Sequence, residues 1–443
     1  MSRAQTSVSL MPIIRTSQER IFLYEKGERG NFSGINELPN PFRYTFDVPA
    51  AGKEMSVVSE KDSAAFVLRR GDTIRFRVVR EAQSDTVLCE FTGVIPAVTF
   101  SDTYVATHRG KNFVEVPEVY ELVNIVFMLT PIGITDQNLR PESTPYYAEV
   151  LRYFTPYKSH PIVTQLDSAL RKGKYDWLKM DAYAYGFDGN RLTKSSVYDR
   201  ISWGNENTLE RYTQMLNDFA AKANFRRFYQ QNLPYYQSLI ADYRTSINID
   251  RMKQWLEAQF PKTRYASVKA IFSPLVASNQ SAAQFENNDF REAQMHINFP
   301  FKSIYNDTPR ELIRARRQEI AFTELNHSYL NPEADQYGTK VNKAFGNLGK
   351  WTTSKTPRNY LDPYSCFCEY MNWALVTLYH SDHVKGTAFD ALRAGVDNRM
   401  VNRRGFAKFR EFDAELLHLY RNRKPGQTVA DLYSAILNWA EKQ

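Results

Sequence analysis

Along roughly the first hundred residues apolar and polar positions alternate in short runs; beyond them apolar residues recur at three- and four-residue spacing. Arg20-Ile21-Phe22-Leu23-Tyr24, Phe42-Arg43-Tyr44-Thr45-Phe46, Thr73 to Val79 and Thr86 to Phe91 are β-branched and aromatic runs. Gly30, Gly34, Pro41, Gly52 and Gly71-Asp72 punctuate them, as turns punctuate strands. A small sandwich or barrel is expected over residues 1–110, with no catalytic grouping in it. From about Val116 the spacing predicts helices over Glu118 to Leu129, Tyr146 to Phe154, Pro161 to Arg171, Leu209 to Tyr229 and Tyr235 to Thr245, the last two divided at Asn232-Leu233-Pro234. Two extended runs interrupt them, Val268 to Val276 and the alternating Gln294 to Phe299, with a polar loop of Asn and Gln between. The expected fold is α+β, a β-rich module over 1–110 followed by a mainly helical domain over 111–443.

Two further helices carry the polar residues of interest. The first runs from Thr308, where Thr308 and Glu311 form a capping box and Pro309 suits the first helical position, to a stop at Asn331-Pro332. Ile313, Ile320, Phe322 and Leu325 supply its apolar surface. The second opens at Asp362-Pro363, with Asp as N-cap, and runs to about Leu378. Tyr364, Phe367, Met371, Leu375 and Leu378 form its core stripe. Glu369 falls off that stripe and shares another face with Asn372, Trp373 and His380.

Composition narrows the classes. A chain of 443 residues with 43% hydrophobic content can build two or three cores. Its best apolar run, Leu122 to Leu129, contains Asn124 and falls far short of the ~18 residues of a membrane helix. A net charge of +8 raises nucleic acid as a partner, but the basic residues stand in scattered pairs such as Arg69-Arg70, Arg226-Arg227 and Arg403-Arg404. They predict a solvated surface, not a nucleic-acid footprint. Three cysteines, Cys89, Cys366 and Cys368, form no disulfide framework. Arg3-Ala4-Gln5-Thr6 is similar to the end of a cleaved export signal, so a periplasmic or cell-surface location is the expectation, with a cytoplasmic one left open.

The chemistry lies in Thr323-Glu324-Leu325-Asn326-His327. A His-Glu-x-x-His helix places two imidazoles four apart on one face around a zinc ion and a carboxylate beside a water. Here Thr323 stands in place of the first imidazole. Taken singly, Glu324 reads as a solvated charge with Arg314, Arg316 and Arg317 near it, His327 as a helix-end histidine, and Glu369 as unremarkable. Together they predict a shared polar site. His380-Ser381-Asp382-His383 is a second metal candidate, or a group that orients a substrate oxyanion. No nucleophile elbow and no phosphate-binding glycine loop appears.

A strand pair, a Glu-x-x-His helix and a later helix with Glu in its early turns resemble the gluzincin type of zinc metallopeptidase. The segments VPEVYELVNIVFMLT, YYAEVLRYFTPYKSHP and ELNHSYLNP resemble a bacterial domain-of-unknown-function family of proposed peptidases. The resemblance covers Val116 to the C-terminus. It implies Glu324 as general base and His327 and Glu369 as zinc ligands. By their place immediately before the Glu-x-x-His helix, the two extended runs read either as ordinary sheet strands or as offering an edge to an extended peptide. Thr323, a neutral and poor zinc ligand, makes zinc weak or absent. The expected function is a metallopeptidase-fold protein, catalytically impaired, that binds a peptide or protein in its cleft. One alternative is an active zinc peptidase using Glu324, and another is a glycan- or nucleic-acid-binding protein with a coincidental motif. The site requires His327 and Glu369 to lie within metal reach of each other.

Overall fold

A computed structural model describes residues 11–17, 21–25, 28–29, 40–81, 84–141, 143–301 and 309–443. Thr308 and the Arg3 to Thr6 stretch lie outside the described residues, as does the side chain of Glu311. The fold is α+β, with a strand-rich N-terminal region followed by a mainly helical one. It divides into two compact units, Met1–Thr99 with Ser196–Thr208, and Phe100–Ser195 with Leu209–Gln443. The division falls at Thr99 instead of near 110. Residues 196–208 join the first unit because Val197 O accepts from Thr99 N (2.8 Å), while Arg200 pairs with Asp47 (3.0 Å).

In the first unit, alternation does what the pattern requires. The strands are β1 (Ile13–Thr16), β2 (Phe22–Glu25), β3 (Glu28–Arg29), β4 (Phe42–Asp47), β5 (Lys53–Val58), β6 (Ser63–Leu68), β7 (Thr73–Arg80) and β8 (Asp85–Val94). They form two four-stranded sheets, ordered β1-β7-β8-β4 and β3-β2-β5-β6. One core draws on both, including Leu23, Met55 and Val57 from one sheet and Phe76, Val78 and Phe91 from the other, so the module is a sandwich. On β7, Phe76 and Val78 point inward while Arg75 points out and pairs with Glu90 across the sheet (2.7 Å).

The second unit begins with α1 (Asp102–His108), β9 (Asn112–Glu115), α2 (Glu118–Phe127), α3 (Pro131–Thr135), α4 (Pro145–Phe154), α5 (Pro161–Arg171) and α6 (Tyr175–Asp181). A small hairpin follows, β10 (Tyr185–Asp188) and β11 (Arg191–Lys194), then α7 (Thr213–Lys222), α8 (Phe225–Ser246) and α9 (Ile249–Gln259). Pro234 does not separate one helix from the next; α8 runs through it. The break comes earlier, at Asn224, whose left-handed backbone (φ 48°) ends α7.

The central sheet combines β12 (Ser267–Ser273), β13 (Ser281–Asn287) and β14 (Phe290–Asn298) in the order β13-β14-β12-β9. The two runs read as strands are therefore interior and parallel, and neither offers an edge. The edges are β9 and β13, the latter in the stretch expected to be a loop. Strand β13 pairs antiparallel with β14 through Asn288-Asp289, both at φ 51°, the backbone of a tight two-residue hairpin. All seven residues of β12 are buried, as expected of a strand covered on both faces.

Over the sheet lies α10 (Arg310–Ala334), followed by α11 (Gly338–Phe345), α12 (Pro363–His383), α13 (Gly386–Asp397), α14 (Phe409–Arg421) and α15 (Tyr433–Ala440). Pro309 immediately precedes the first helical residue. Nor does Asn331-Pro332 stop α10. The proline removes the amide that would bond Ser328 O, but the Tyr265 hydroxyl donates to that carbonyl instead (2.9 Å), and the helix continues. Asp362 caps α12 through Ser365 N (2.9 Å), as predicted. The one-sided stripe expected of α12 is not found: Cys366 to Ser381 are all buried, because α10, α11, α13 and α14 pack around it. No helix among the described residues is long and apolar enough to cross a membrane, and the three cysteines are buried free thiols.

Deep in α2, Glu121 is fully buried. It accepts from the Tyr146 hydroxyl (2.6 Å), and burial pushes its carboxyl from the ordinary 4.5 up to about 7. The folded chain therefore keeps a proton between those values that the unfolded chain has released. Stability from this group is greatest below about pH 4.5 and is lost as pH rises through about 7. Glu121→Gln should flatten the fall in unfolding free energy across that window by up to about 1.4 kcal/mol per pH unit, measured by urea melts at successive pH values.

Candidate functional site

The Glu324 turn of α10 runs beside the edge strand, where Gln284 Nε2 donates to Ser328 Oγ (3.1 Å). Thr323 is buried and its hydroxyl donates back to Ile320 O (2.9 Å), so it satisfies its own helix and offers nothing to the site. Glu324 keeps partial exposure. Burial raises its carboxyl to about 7, with Glu369 adding to the rise and His327 and Lys179 opposing it. Neither Arg314 nor Arg317 supplies its partner: Arg317 pairs with Asp242 (2.7 Å) and Arg314 donates to Thr245 O (3.3 Å).

Running antiparallel to α10, α12 brings Glu369 to His327. Asn326 Nδ2 donates to Asn372 O across the seam (3.0 Å), setting the register. His327 Nε2 then lies 3.9 Å from Glu369 Oε2. Asn372 Nδ2 sits between them, donating to His327 Nε2 (2.9 Å) and to Glu369 Oε2 (3.4 Å). The expected neighbourhood of carboxylate and indole is present too, as Trp373 Nε1 donates to Glu369 Oε1 (2.9 Å).

The residue that sequence reasoning missed is Arg404. It follows a π-helical segment, Asn398–Arg403, after α13, and its amide bonds to Arg399 O (3.0 Å) in the wider π spacing. Its guanidinium forms an ion pair with Glu369 Oε1 and lies 5.2 Å from the Tyr360 ring centre and 5.9 Å from that of Trp373. Gly405 makes this placement geometrically feasible. Its φ of +74° suits glycine, and an added Cβ would run into Thr353 Oγ1 and approach Lys355 Cβ to 2.9 Å. Burial acts to raise the Glu369 carboxyl, and the Arg404 guanidinium, the main opposite charge, holds it below its usual range.

The zinc ion implied by the resemblance can be tested against these donors. The His327–Glu369 separation is within the span of two ligands at about 2.0–2.2 Å from one ion. The donors themselves are engaged: Nε2 of His327 by an amide, Glu369 by a guanidinium, an indole and an amide, and Thr323 by its own backbone. Unit charges about 4 Å apart at an effective dielectric constant of about 20 interact by about 4 kcal/mol, and Arg404 would oppose a dication by energies of that order. Among the described residues no group of three or more His, Cys, Asp or Glu is arranged to hold a metal. The residues present do not fit zinc.

The second metal candidate is not assembled as expected. His380 Nε2 faces Glu319 Oε1 at 3.7 Å, and His383 Nδ1 bonds to Tyr379 O (2.7 Å). Glu319 in turn is held by Arg399 (2.9 Å), so the seam carries two imidazole–carboxylate–guanidinium groups, one at each end. Nearby, buried Lys179 joins Asp176 (3.0 Å) and donates to Asn279 O (2.6 Å), while Asp176 accepts from Ser281 at the head of β13 (2.7 Å). No local pattern around Lys179 signals its role. Arg404 had such a signal, the adjacent Arg404-Gly405, where a left-handed turn can aim a long side chain inward.

Fold and site together define an α+β protein whose helical unit holds a buried polar centre at the seam of two antiparallel helices. The family model described as domain of unknown function (DUF4932) matches residues 130–438, and the chain belongs to that family. No curated protein and no solved structure matches it.

Arg404→Ala leaves Glu369 buried without its cation and should cost about 3 kcal/mol or more in denaturant melts, whereas Glu369→Gln combined with Arg404→Met should cost less than Arg404→Ala alone.

Proposed function

We propose that this protein keeps the cleft of a gluzincin-type peptidase as a metal-free groove that binds an extended peptide or protein segment. What carries the reading is the meeting of His327 and Glu369 across α10 and α12, far apart in sequence and 3.9 Å apart in space, with Glu369 committed to a guanidinium. The edge strand β13 supports it. That strand runs beside the Glu324 turn, and among the described residues β14 is the one strand that pairs with it. A polypeptide adding to the side of β13 away from β14 gains main-chain hydrogen bonds and passes the polar centre. A Glu324 carboxyl poised near neutrality supplies a donor or an acceptor to such a chain.

That same poise favours the second reading, a working peptidase with Glu324 as general base. It would need a metal-binding set that the residues present do not offer, and it ranks lower.

Selection from a phage-displayed random peptide library should enrich sequences that bind with micromolar Kd by fluorescence anisotropy, unchanged by EDTA. Glu324→Arg should weaken that binding about tenfold or more. Failure to enrich any peptide removes the groove. Cleavage of the peptides that is lost in Glu324→Ala would establish the peptidase instead.

A further inference from the structure

The two imidazole–carboxylate–guanidinium groups on the α10–α12 seam permit a comparison within one molecule. At one end His380 Nε2 lies 3.7 Å from Glu319 Oε1, and Arg399 holds the other oxygen of Glu319 (2.9 Å). At the other end His327 Nε2 lies 3.9 Å from Glu369 Oε2, and Arg404 holds Oε1. Only the second coincides with the Glu-x-x-His frame. At the first a guanidinium pairs with a buried carboxylate beside an imidazole, as expected of a charge that is removed from water and needs a partner of opposite sign.

We propose that Arg404 stands in for the metal ion: it supplies the positive charge that buried Glu369 requires, and it keeps a divalent cation from entering. This rests on the reading of the cleft as a gluzincin-type one and adds what replaced its ion. Besides the Asn372 amide on His327 Nε2, two changes separate the site from a zinc centre, the alcohol at Thr323 and the cation at Arg404. They act independently. An imidazole at 323 would share the α10 face with His327, four residues on, and restore a donor, but the guanidinium would still neutralise the carboxylate that must serve as a ligand. Arg404 is also placed by a local device, the π-helical segment and the left-handed Gly405, whose carbonyl accepts from Thr353 N (2.9 Å) and Thr356 Oγ1 (2.8 Å). The cation is thus anchored from a third segment and does not depend on the metal motif for its position.

Zinc itself is the probe. Purified wild type, Thr323→His, Arg404→Met and the double variant are dialysed with zinc, assayed for bound metal, and titrated against a chromophoric chelator. The double variant should hold one zinc per chain about 100-fold more tightly than Thr323→His, with a matching zinc-dependent rise in Tm, and should lose it on Glu369→Gln. Thr323→His combined with Arg399→Met should bind no better than Thr323→His. If Arg404→Met does not fold, Arg404→Gln removes the charge and keeps a donor to Glu369, while Arg404→Lys keeps the charge and should show no gain. Equal zinc affinity in Thr323→His and the double variant, or an equal gain from Arg399→Met, overturns the assignment. Peptide binding by the wild type is read separately: its absence with zinc gained by the double variant removes the groove but leaves Arg404 in the ion's place, and the reverse result removes Arg404 and leaves the groove.

Discussion

The ion pair between Glu369 and Arg404 is the constraint around which the helical unit is arranged. A carboxylate at 2% exposure in a helix surrounded by other helices has no water to solvate it. Its charge is met by a guanidinium delivered from a segment beyond α13, and its remaining lone pairs by an indole and an amide of its own helix. That arrangement fixes the rotation of α12. It also places Asn372 against His327 and thereby ties α12 to α10.

The seam is polar along its length. His380, Glu319 and Arg399 repeat at one end the chemistry found at the other, with Trp373 between the two arginines. Thr323 lies in the middle and contributes no bond across it. A threonine is tolerated there because its hydroxyl finds a partner one turn back, which leaves the space beside His327 to the amide of Asn372.

On the sheet, polar burial continues by a different route. The face turned from α10 carries Lys269, Glu292, Gln294 and His296, linked by Gln294 to Glu292 (2.7 Å) and His296 to Gln294 (3.1 Å), with the Tyr104 hydroxyl closing on Glu292 (2.6 Å). The opposite face is apolar, with Val268, Ala270, Phe272 and Met295 buried. Lys179 fastens the approach to β13 and the end of β14 through their carbonyls, which holds the edge strand in its place beside Glu324.

Local chemistry determined much of this from sequence alone. Alternation placed the strands of the sandwich, the Asp362-Pro363 cap started α12, and residue types at helical spacing marked Glu324 and His327 as neighbours on one face, because such features depend on residues a few positions apart. Prolines misled for the complementary reason. Whether Pro332 ends a helix depends on which group donates to the freed carbonyl, and Tyr265 comes from far upstream. The edge strand hid in a polar run because its partner β14, not its own composition, makes it a strand. Arg404 looked like a surface charge for the same cause: only packing of three separate segments decides which arginine faces a buried carboxylate, and that convergence is a property of the tertiary structure.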